Sequence, residues 1–166
     1  MATVTLKGNT VNLVGELPAV GSVAPDFKLV DTDLADRSLD DYRGKKKLLS
    51  VVPSLDTEVC AESTKKFDQQ MSGHPELVVL VISADLPFAA SRFCSSAGTG
   101  NVTFLSMMRS KNFAKDYGLL IEDGPLAGLT ARAVLVLDED NKVLYTELVP
   151  EIAQEPDYDK AFAALG

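Results

Sequence analysis

The sequence predicts an α/β fold in which helices flank a central mixed β-sheet. Strand and helix patterns alternate along the middle of the chain, the order that builds parallel strands with helices on both faces. The strand pattern at 77–82 is continuously apolar, as expected for a strand covered on both faces. Two strand patterns joined by a short turn precede the last helix, and such a hairpin adds antiparallel strands to the sheet.

Length and composition predict one domain spanning residues 1–166. The chain has 166 residues, of which 46% are hydrophobic and 24% charged, close to the average of globular proteins. Its net charge of −8 argues against nucleic-acid binding, which needs a cationic surface. No apolar run approaches the roughly 18 residues of a membrane span. The first residues lack a signal-peptide pattern, so we expect a cytoplasmic protein that binds neither nucleic acid nor membrane.

The first elements are an N-terminal β-hairpin and two strands. Residues 4–7 and 11–14 alternate apolar and polar side chains around the turn residues Gly8 and Asn9. A short strand is predicted at 26–30. The only basic cluster, Lys45-Lys46-Lys47, is interpreted as a solvated turn rather than a phosphate site. It leads into a buried strand at 48–52, which ends at Pro53 because proline cannot donate to a sheet.

Helices and strands then alternate to the end of the chain. A helix is predicted over 57–71, where Cys60, Thr64, Phe67 and Met71 share one face. The strand 77–82 follows. The remaining predicted elements are a helix opened by Asp85 and Pro87 and running to about Ser95, a strand at 102–105, a helix from Ser110 that ends at Gly118, strands at 133–137 and 142–149, and a helix from 155–157 to Leu165.

Few residues can carry chemistry. The single histidine, His74, lies in a predicted turn and is interpreted as a surface residue. One histidine and two distant cysteines do not form a usual zinc site, and no Cys-x-x-Cys pair or phosphate-binding glycine loop is present. Gly98-Thr99-Gly100 is interpreted as a plain loop. We therefore expect no metal and no cofactor.

Cys60 is the remaining candidate. It follows a strand end and lies in the first turn of a predicted helix, where unpaired backbone amides favour an anion such as a thiolate. A free thiol is only about 3% ionised at pH 7, and a helix terminus contributes roughly 0.3–1 kcal/mol, so a further group is needed, most plausibly an arginine. The alternative is a buried core cysteine on the apolar helix face. Spacing alone leaves both interpretations open.

The residues around Cys60 resemble a known motif. The pattern Pro53-x-x-x-Thr57-x-x-Cys60 is similar to the peroxidatic motif of the peroxiredoxins. The whole string PSLDTEVC at 53–60, together with Arg92-Phe93-Cys94 and the segment GLTARAV at 128–134, resembles the bacterial thiol peroxidases. These are atypical two-cysteine peroxiredoxins. The resemblance extends over nearly the whole chain and implies a thioredoxin-like fold.

The resemblance also implies an activity and residue roles. The protein would reduce hydrogen peroxide and organic hydroperoxides to water and alcohols in antioxidant defence, with Cys60 as the nucleophile that becomes a sulfenic acid. Thr57 would hydrogen-bond the thiolate and the peroxide, Arg132 would stabilise both, and Pro53 would shield the sulfur from water. Cys94 would form an intramolecular disulfide with Cys60, which thioredoxin would reduce. The family also implies a homodimer.

Two features depart from the family pattern. Glu58 stands where the family often has proline, and its charge would slightly oppose a thiolate. Met107-Met108-Arg109 replaces a more polar stretch, so the methionines either line an apolar substrate pocket or fill the core. Because both cysteines lie on predicted helices, we expect the reduced form to hold them too far apart for a disulfide. Bond formation would then need local unwinding.

The same cysteines allow two other interpretations. A redox-sensing module would use a Cys60–Cys94 bond to alter partner binding without fast turnover. A thioredoxin-fold protein with inert thiols would use neither cysteine.

Overall fold

The structure is a computed structural model that describes residues 2–165, except for the side chain of Ser72. Met1 and Gly166, the end points of the expected domain, lie outside the described residues. The strands are β1 (Thr3–Leu6), β2 (Asn9–Val14), β3 (Leu29–Val30), β4 (Asp36–Arg37), β5 (Lys46–Val51), β6 (Leu77–Ser83), β7 (Thr103–Ser106), β8 (Leu120–Ile121), β9 (Ala133–Leu137) and β10 (Val143–Leu148). The α-helices are α1 (Glu58–Gln70), α2 (Pro87–Ala97), α3 (Asn112–Asp116) and α4 (Tyr158–Ala163), and short 3-10 helices cover Leu39–Tyr42 and Met71–Gly73.

A mixed sheet forms the centre of the molecule. Its strand order is β10-β9-β5-β6-β7-β3-β4, with β5, β6 and β7 parallel and the other pairs antiparallel. The expected central mixed sheet and closing hairpin are therefore confirmed. Val51 of β5 pairs with Ile82 of parallel β6 and with Ala133 of antiparallel β9. The carboxyl ends of β5 and β6 thus meet the beginning of β9 at one edge.

Both faces of this sheet are covered, as the apolar run at 77–82 predicts. Alternate residues of β5 point to opposite faces, so Leu49 joins one buried cluster and Leu48 the other. Phe67 of α1 and Ala161 of α4 pack in the cluster with Leu48, whereas Phe113 of α3 packs in the cluster with Leu49. None of the helices between residues 2 and 165 is long and apolar enough to cross a membrane.

The predicted N-terminal hairpin forms, with Leu6 paired to Asn9, and it belongs to a second, three-stranded sheet of order β1-β2-β8. The two-residue strand β8 was not predicted. It is defined by its pairing with Leu13 and Val14 rather than by a pattern of its own.

Two predicted details in this part of the fold are wrong. The strand expected at 26–30 is reduced to β3, because the Asp26 carboxylate accepts hydrogen bonds from the backbone amides of Phe27 (2.8 Å) and Leu39 (3.1 Å) and so connects this segment to the 3-10 helix that begins at Leu39. The lysine cluster is not all solvated turn: Lys47 lies in β5 and is fully buried. Its Nζ donates to Asn141 Oδ1 at 2.6 Å, and burial lowers the pKa of its ammonium group. Residues 98–100 form a loop, as predicted, and Gly98 at its start caps α2 in a left-handed conformation.

Gly118 ends α3 as predicted and has a second role. Its φ is +67°, and a Cβ at this position would overlap the backbone of Glu16. The absence of a side chain therefore lets the segment that follows α3 pass directly against the segment that follows the hairpin. Gly98 has nearly the same φ, +68°, but open space where its Cβ would be.

Alanine variants of Gly98 and Gly118 separate the cost of backbone strain from the cost of steric overlap. Gly98→Ala should lower the free energy of unfolding by roughly 1–2 kcal/mol, the cost of a left-handed alanine. Gly118→Ala should lose that amount plus about 1–3 kcal/mol for the overlap with Glu16. Urea unfolding followed by circular dichroism measures both values. Equal losses in the two variants would show that the close approach at Gly118 has no energetic weight.

Candidate active site

The candidate site lies at the edge where β5 and β6 end and β9 begins. Buried Pro53 follows β5, and the chain then turns into α1, which starts at Glu58. Arg132 directly precedes β9, and the β5–β9 pairing brings it to the same edge. Strand order therefore brings Arg132 to the segment that contains Pro53 and Cys60, although Arg132 lies 72 residues after Cys60 in the sequence.

Cys60 and Arg132 are in direct contact. Cys60 lies in the first turn of α1 and has no exposed surface, and Arg132 Nη2 donates a hydrogen bond to its Sγ at 2.9 Å. Both interpretations of Cys60 thus describe part of the structure. Its helix face is buried among apolar side chains, as for a core cysteine, yet its sulfur faces a cation. Such an electropositive contact favours the thiolate form, whereas purely apolar burial disfavours it.

The Arg132 guanidinium is held firmly and keeps a free donor. Its Nε donates to the Ile152 carbonyl at 3.0 Å, and the residue is only 2% exposed. Within residues 2–165, Nη1 is buried and has no hydrogen-bond partner. An unpaired buried donor is costly, and it suits an acceptor that arrives with a ligand.

The loop between β5 and α1 is shaped by a residue that the sequence analysis missed. Asp85, which follows β6, does not begin α2 as expected. Its carboxylate accepts hydrogen bonds from Ser54 Oγ (2.8 Å), the Leu55 amide (2.7 Å) and Ser83 Oγ (2.8 Å). Its place just after a strand parallel to β5 was the signal that could have identified it, because parallel neighbours end at the same edge.

Thr57 is placed at the site but makes a different bond from the one that the resemblance implies. It is the residue before α1, and its hydroxyl donates to the Ser54 carbonyl at 2.9 Å. The hydroxyl must rotate away from Ser54 before it can donate to a thiolate or a peroxide.

An apolar pocket of ≈ 530 Å³ opens beside the guanidinium. Arg132 and Thr57 both line it. The other lining residues are Leu6, Lys7, Pro53, Ser54, Glu58, Val59, Leu126, Leu129, Ile152 and Ala153. Met107 and Met108 are not among these residues, and Met107 is buried in the core. Of the two alternatives for the methionines, core packing is therefore the one that the structure supports for Met107.

Cys94 lies apart from this pocket, on α2. It is partly exposed, its thiol donates to the Thr99 carbonyl at 3.2 Å, and it lines a separate groove with Asp31 and Arg37. Neither Cys94 nor Cys60 is in a disulfide.

A charged cluster lies close to Arg132. Glu155 accepts hydrogen bonds from Lys66 Nζ and Tyr158 Oη, both at 2.8 Å, and these bonds hold the pKa of the Glu155 carboxyl below its usual value. Burial, followed by the bond to Glu155, raises the pKa of the Tyr158 hydroxyl. The sequence analysis did not identify this cluster. Among the described residues, no three His, Cys, Asp or Glu side chains are grouped so that they could hold a metal ion.

Comparison with known proteins supports a family assignment. The Redoxin family model matches residues 19–162. A thiol peroxidase from Mycobacterium tuberculosis is 55% identical over 166 residues, covering 100% of this chain and 99% of the relative. One from Leptospira interrogans is 53% identical, covering 99% of this chain and 97% of the relative.

Solved structures agree. A peroxiredoxin-like protein from Aquifex aeolicus superposes with a TM-score of 0.93 at 44% identity, covering 99% of this chain and 96% of that one. A thiol peroxidase from Chromobacterium violaceum gives 0.92 at 28% identity, covering 98% and 94%. The thioredoxin-like peroxiredoxin fold predicted from the motif is thus confirmed. The chain belongs to the Redoxin family and, within it, to the thiol peroxidases.

Proposed function

We propose that the protein reduces hydrogen peroxide and organic hydroperoxides to water and alcohols through Cys60, as part of antioxidant defence. One observation carries this proposal: a single buried guanidinium donates to the Cys60 sulfur through Nη2 and keeps Nη1 unpaired. One donor would hold the nucleophile, and the other is available to a peroxide oxygen. The thiol peroxidase relatives support the same chemistry.

This geometry supports the following first step. The Cys60 thiolate attacks one oxygen of the peroxide, so that an S–O bond forms while the O–O bond breaks. The departing oxygen takes a proton and leaves as water or alcohol, and Cys60 becomes a sulfenic acid. Arg132 stabilises the negative charge as it moves from sulfur to the leaving oxygen. Thr57 adds a donor once its hydroxyl leaves the Ser54 carbonyl, and buried Pro53 limits the access of water.

Cys94 then resolves the sulfenic acid. Its thiol attacks the Cys60 sulfur, a disulfide forms, and water is released. Disulfide geometry requires the two Cα atoms to lie within about 7 Å, and each cysteine is held in a helix, so we expect local unwinding of α1 or α2. Thioredoxin would reduce the bond by thiol–disulfide exchange. Such a cycle suits a reducing compartment, which makes a cytoplasmic location part of the proposal.

We also propose that the protein is a homodimer. Family membership supports this, as do two exposed apolar side chains at the beginning of α2: Leu86 is 52% exposed and Phe88 66%. Exposed apolar side chains that lie close together favour association.

The cysteine variants test the two thiol roles. Cys60→Ser should abolish peroxide turnover, because serine offers no thiolate. Cys94→Ser should consume about one peroxide per chain and then stop with thioredoxin as the donor, since no disulfide can form. Stopped-flow peroxide consumption, with and without thioredoxin and its reductase, measures both. Full turnover by Cys60→Ser would end the proposal.

The second variant series tests Arg132. Lysine keeps the charge but not the planar set of donors, so Arg132→Lys should lower kcat/KM for hydrogen peroxide about 100-fold. The matched control is Arg109→Lys, because Arg109 pairs with Asp36 on the surface at 2.7 Å. The control should retain wild-type activity. A comparable loss in both variants, or none in Arg132→Lys when circular dichroism shows it folded, would contradict the role.

Sedimentation velocity tests the dimer. At micromolar concentration the protein should sediment as a single species of twice the chain mass of 17.8 kDa. A boundary at the mass of one chain over the same concentration range would rule the dimer out.

A further inference from the structure

Glu151 connects the N-terminal hairpin to the segment that holds Arg132. Its Oε1 accepts hydrogen bonds from Thr5 Oγ1 (3.1 Å) and the Gly8 amide (3.0 Å), and its Oε2 accepts one from the Ala153 amide (2.8 Å). Every partner is a donor, so the site suits an ionised carboxylate. The amides of Ala153 and Gly8 accordingly hold the pKa of the Glu151 carboxyl below its usual value.

Backbone bonds reinforce this connection. The Thr5 amide donates to the Pro150 carbonyl and the Ile152 amide donates to the Thr5 carbonyl, both at 2.8 Å. The Ile152 carbonyl, which is fixed in this way, accepts the bond from Arg132 Nε. The hairpin therefore holds the backbone group that orients the guanidinium.

The hairpin also forms one wall of the pocket. Leu6 and Lys7 at its tip line the pocket together with Arg132. Lys7 has a φ of +50°, a backbone conformation that residues other than glycine rarely adopt. The bond from the neighbouring Gly8 amide to Glu151 stabilises this turn.

We propose that Glu151 is a positioning residue that fixes the hairpin tip as the wall contacting the organic part of a hydroperoxide. This inference rests on the proposed peroxidase function and extends it to substrate selection. Hydrogen peroxide has no organic part and reaches the guanidinium without the wall. An aryl or alkyl hydroperoxide needs the apolar surface that Leu6 contributes.

The test is the ratio of kcat/KM for cumene hydroperoxide to kcat/KM for hydrogen peroxide. In Glu151→Ala this ratio should fall about fivefold, because the apolar contact is lost only for the organic substrate. A merely structural role would lower the active fraction and leave the ratio unchanged. That outcome would overturn the proposal.

The matched control is Asp123→Ala. Asp123 also binds the hairpin, through the backbone amide (2.9 Å) and side chain (2.7 Å) of Asn12, but it does not line the pocket. In Asp123→Ala the ratio of kcat/KM for cumene hydroperoxide to kcat/KM for hydrogen peroxide should stay at the wild-type value. If Asp123→Ala shifts the ratio as far as Glu151→Ala does, general loosening of the hairpin explains the effect and the proposal is wrong.

Glu151→Asp distinguishes the hydrogen bonds that Glu151 makes to the hairpin from the one that it makes to Ala153. Aspartate can still accept from the amide two residues later, that of Ala153, but it is one methylene too short for Thr5 and Gly8. The ratio should therefore fall as in Glu151→Ala, and a wild-type ratio would overturn the hairpin contact as its cause.

Hydrogen exchange separates this proposal from the function on which it rests. The Ile152 amide should exchange faster in Glu151→Ala than in wild type or Asp123→Ala, whether or not the protein turns over peroxide. Unchanged exchange would overturn the proposal by itself. A wild-type protein without turnover would instead overturn the proposed function.

Discussion

The contact between the Arg132 guanidinium and the Cys60 sulfur is the interaction on which the site depends. Each partner is unfavourable alone, because a buried cation needs a counter-charge and a thiol in apolar surroundings resists ionisation. The guanidinium and the sulfur are hydrogen-bonded at 2.9 Å, which is the arrangement that the proposed thiolate requires. The Ile152 carbonyl fixes the orientation of the guanidinium, and the nearby Glu155 carboxylate adds negative charge. Burial strengthens the pair, since water screens it weakly.

Strand order places these groups. Three strands have their ends at one edge of the sheet: β5 leads into the loop before Cys60, β6 leads to Asp85, and β9 begins after Arg132. Asp85 ties the loop to its neighbouring strand, so the first turn of α1 is supported from the sheet side. The helix then presents its amino end, where partial positive charge favours an anion, to the same spot. The candidate site is thus built from rigid elements, and the Asp85 carboxylate stabilises its loop through hydrogen bonds.

The second sheet makes the N-terminal hairpin part of the site. Gly118 lets the segment after α3 pass close to the backbone of Glu16, and β8 pairs with β2. At the opposite end, the hairpin contacts residues 150–153 through Thr5 and Glu151. The hairpin therefore contributes to the core through Val4, Val11 and Leu13 and to the pocket through Leu6 and Lys7.

The sequence alone determined the order of the main elements, the mixed sheet and the motif around Cys60, because hydrophobic period, turn residues and residue spacing are local properties. It did not determine which partners long-range packing would supply. Lys47 belongs to a basic run that the sequence predicts to be solvated, yet it is buried and bonded to Asn141. Asp85 was predicted to begin a helix, yet its carboxylate binds the loop after β5. Arg132 became a neighbour of Cys60, and Ile152 a neighbour of Arg132, only through strand pairing, which the whole core determines rather than any short segment. The covalent order of the chain specified the proposed nucleophile, and the folded sheet specified what surrounds it.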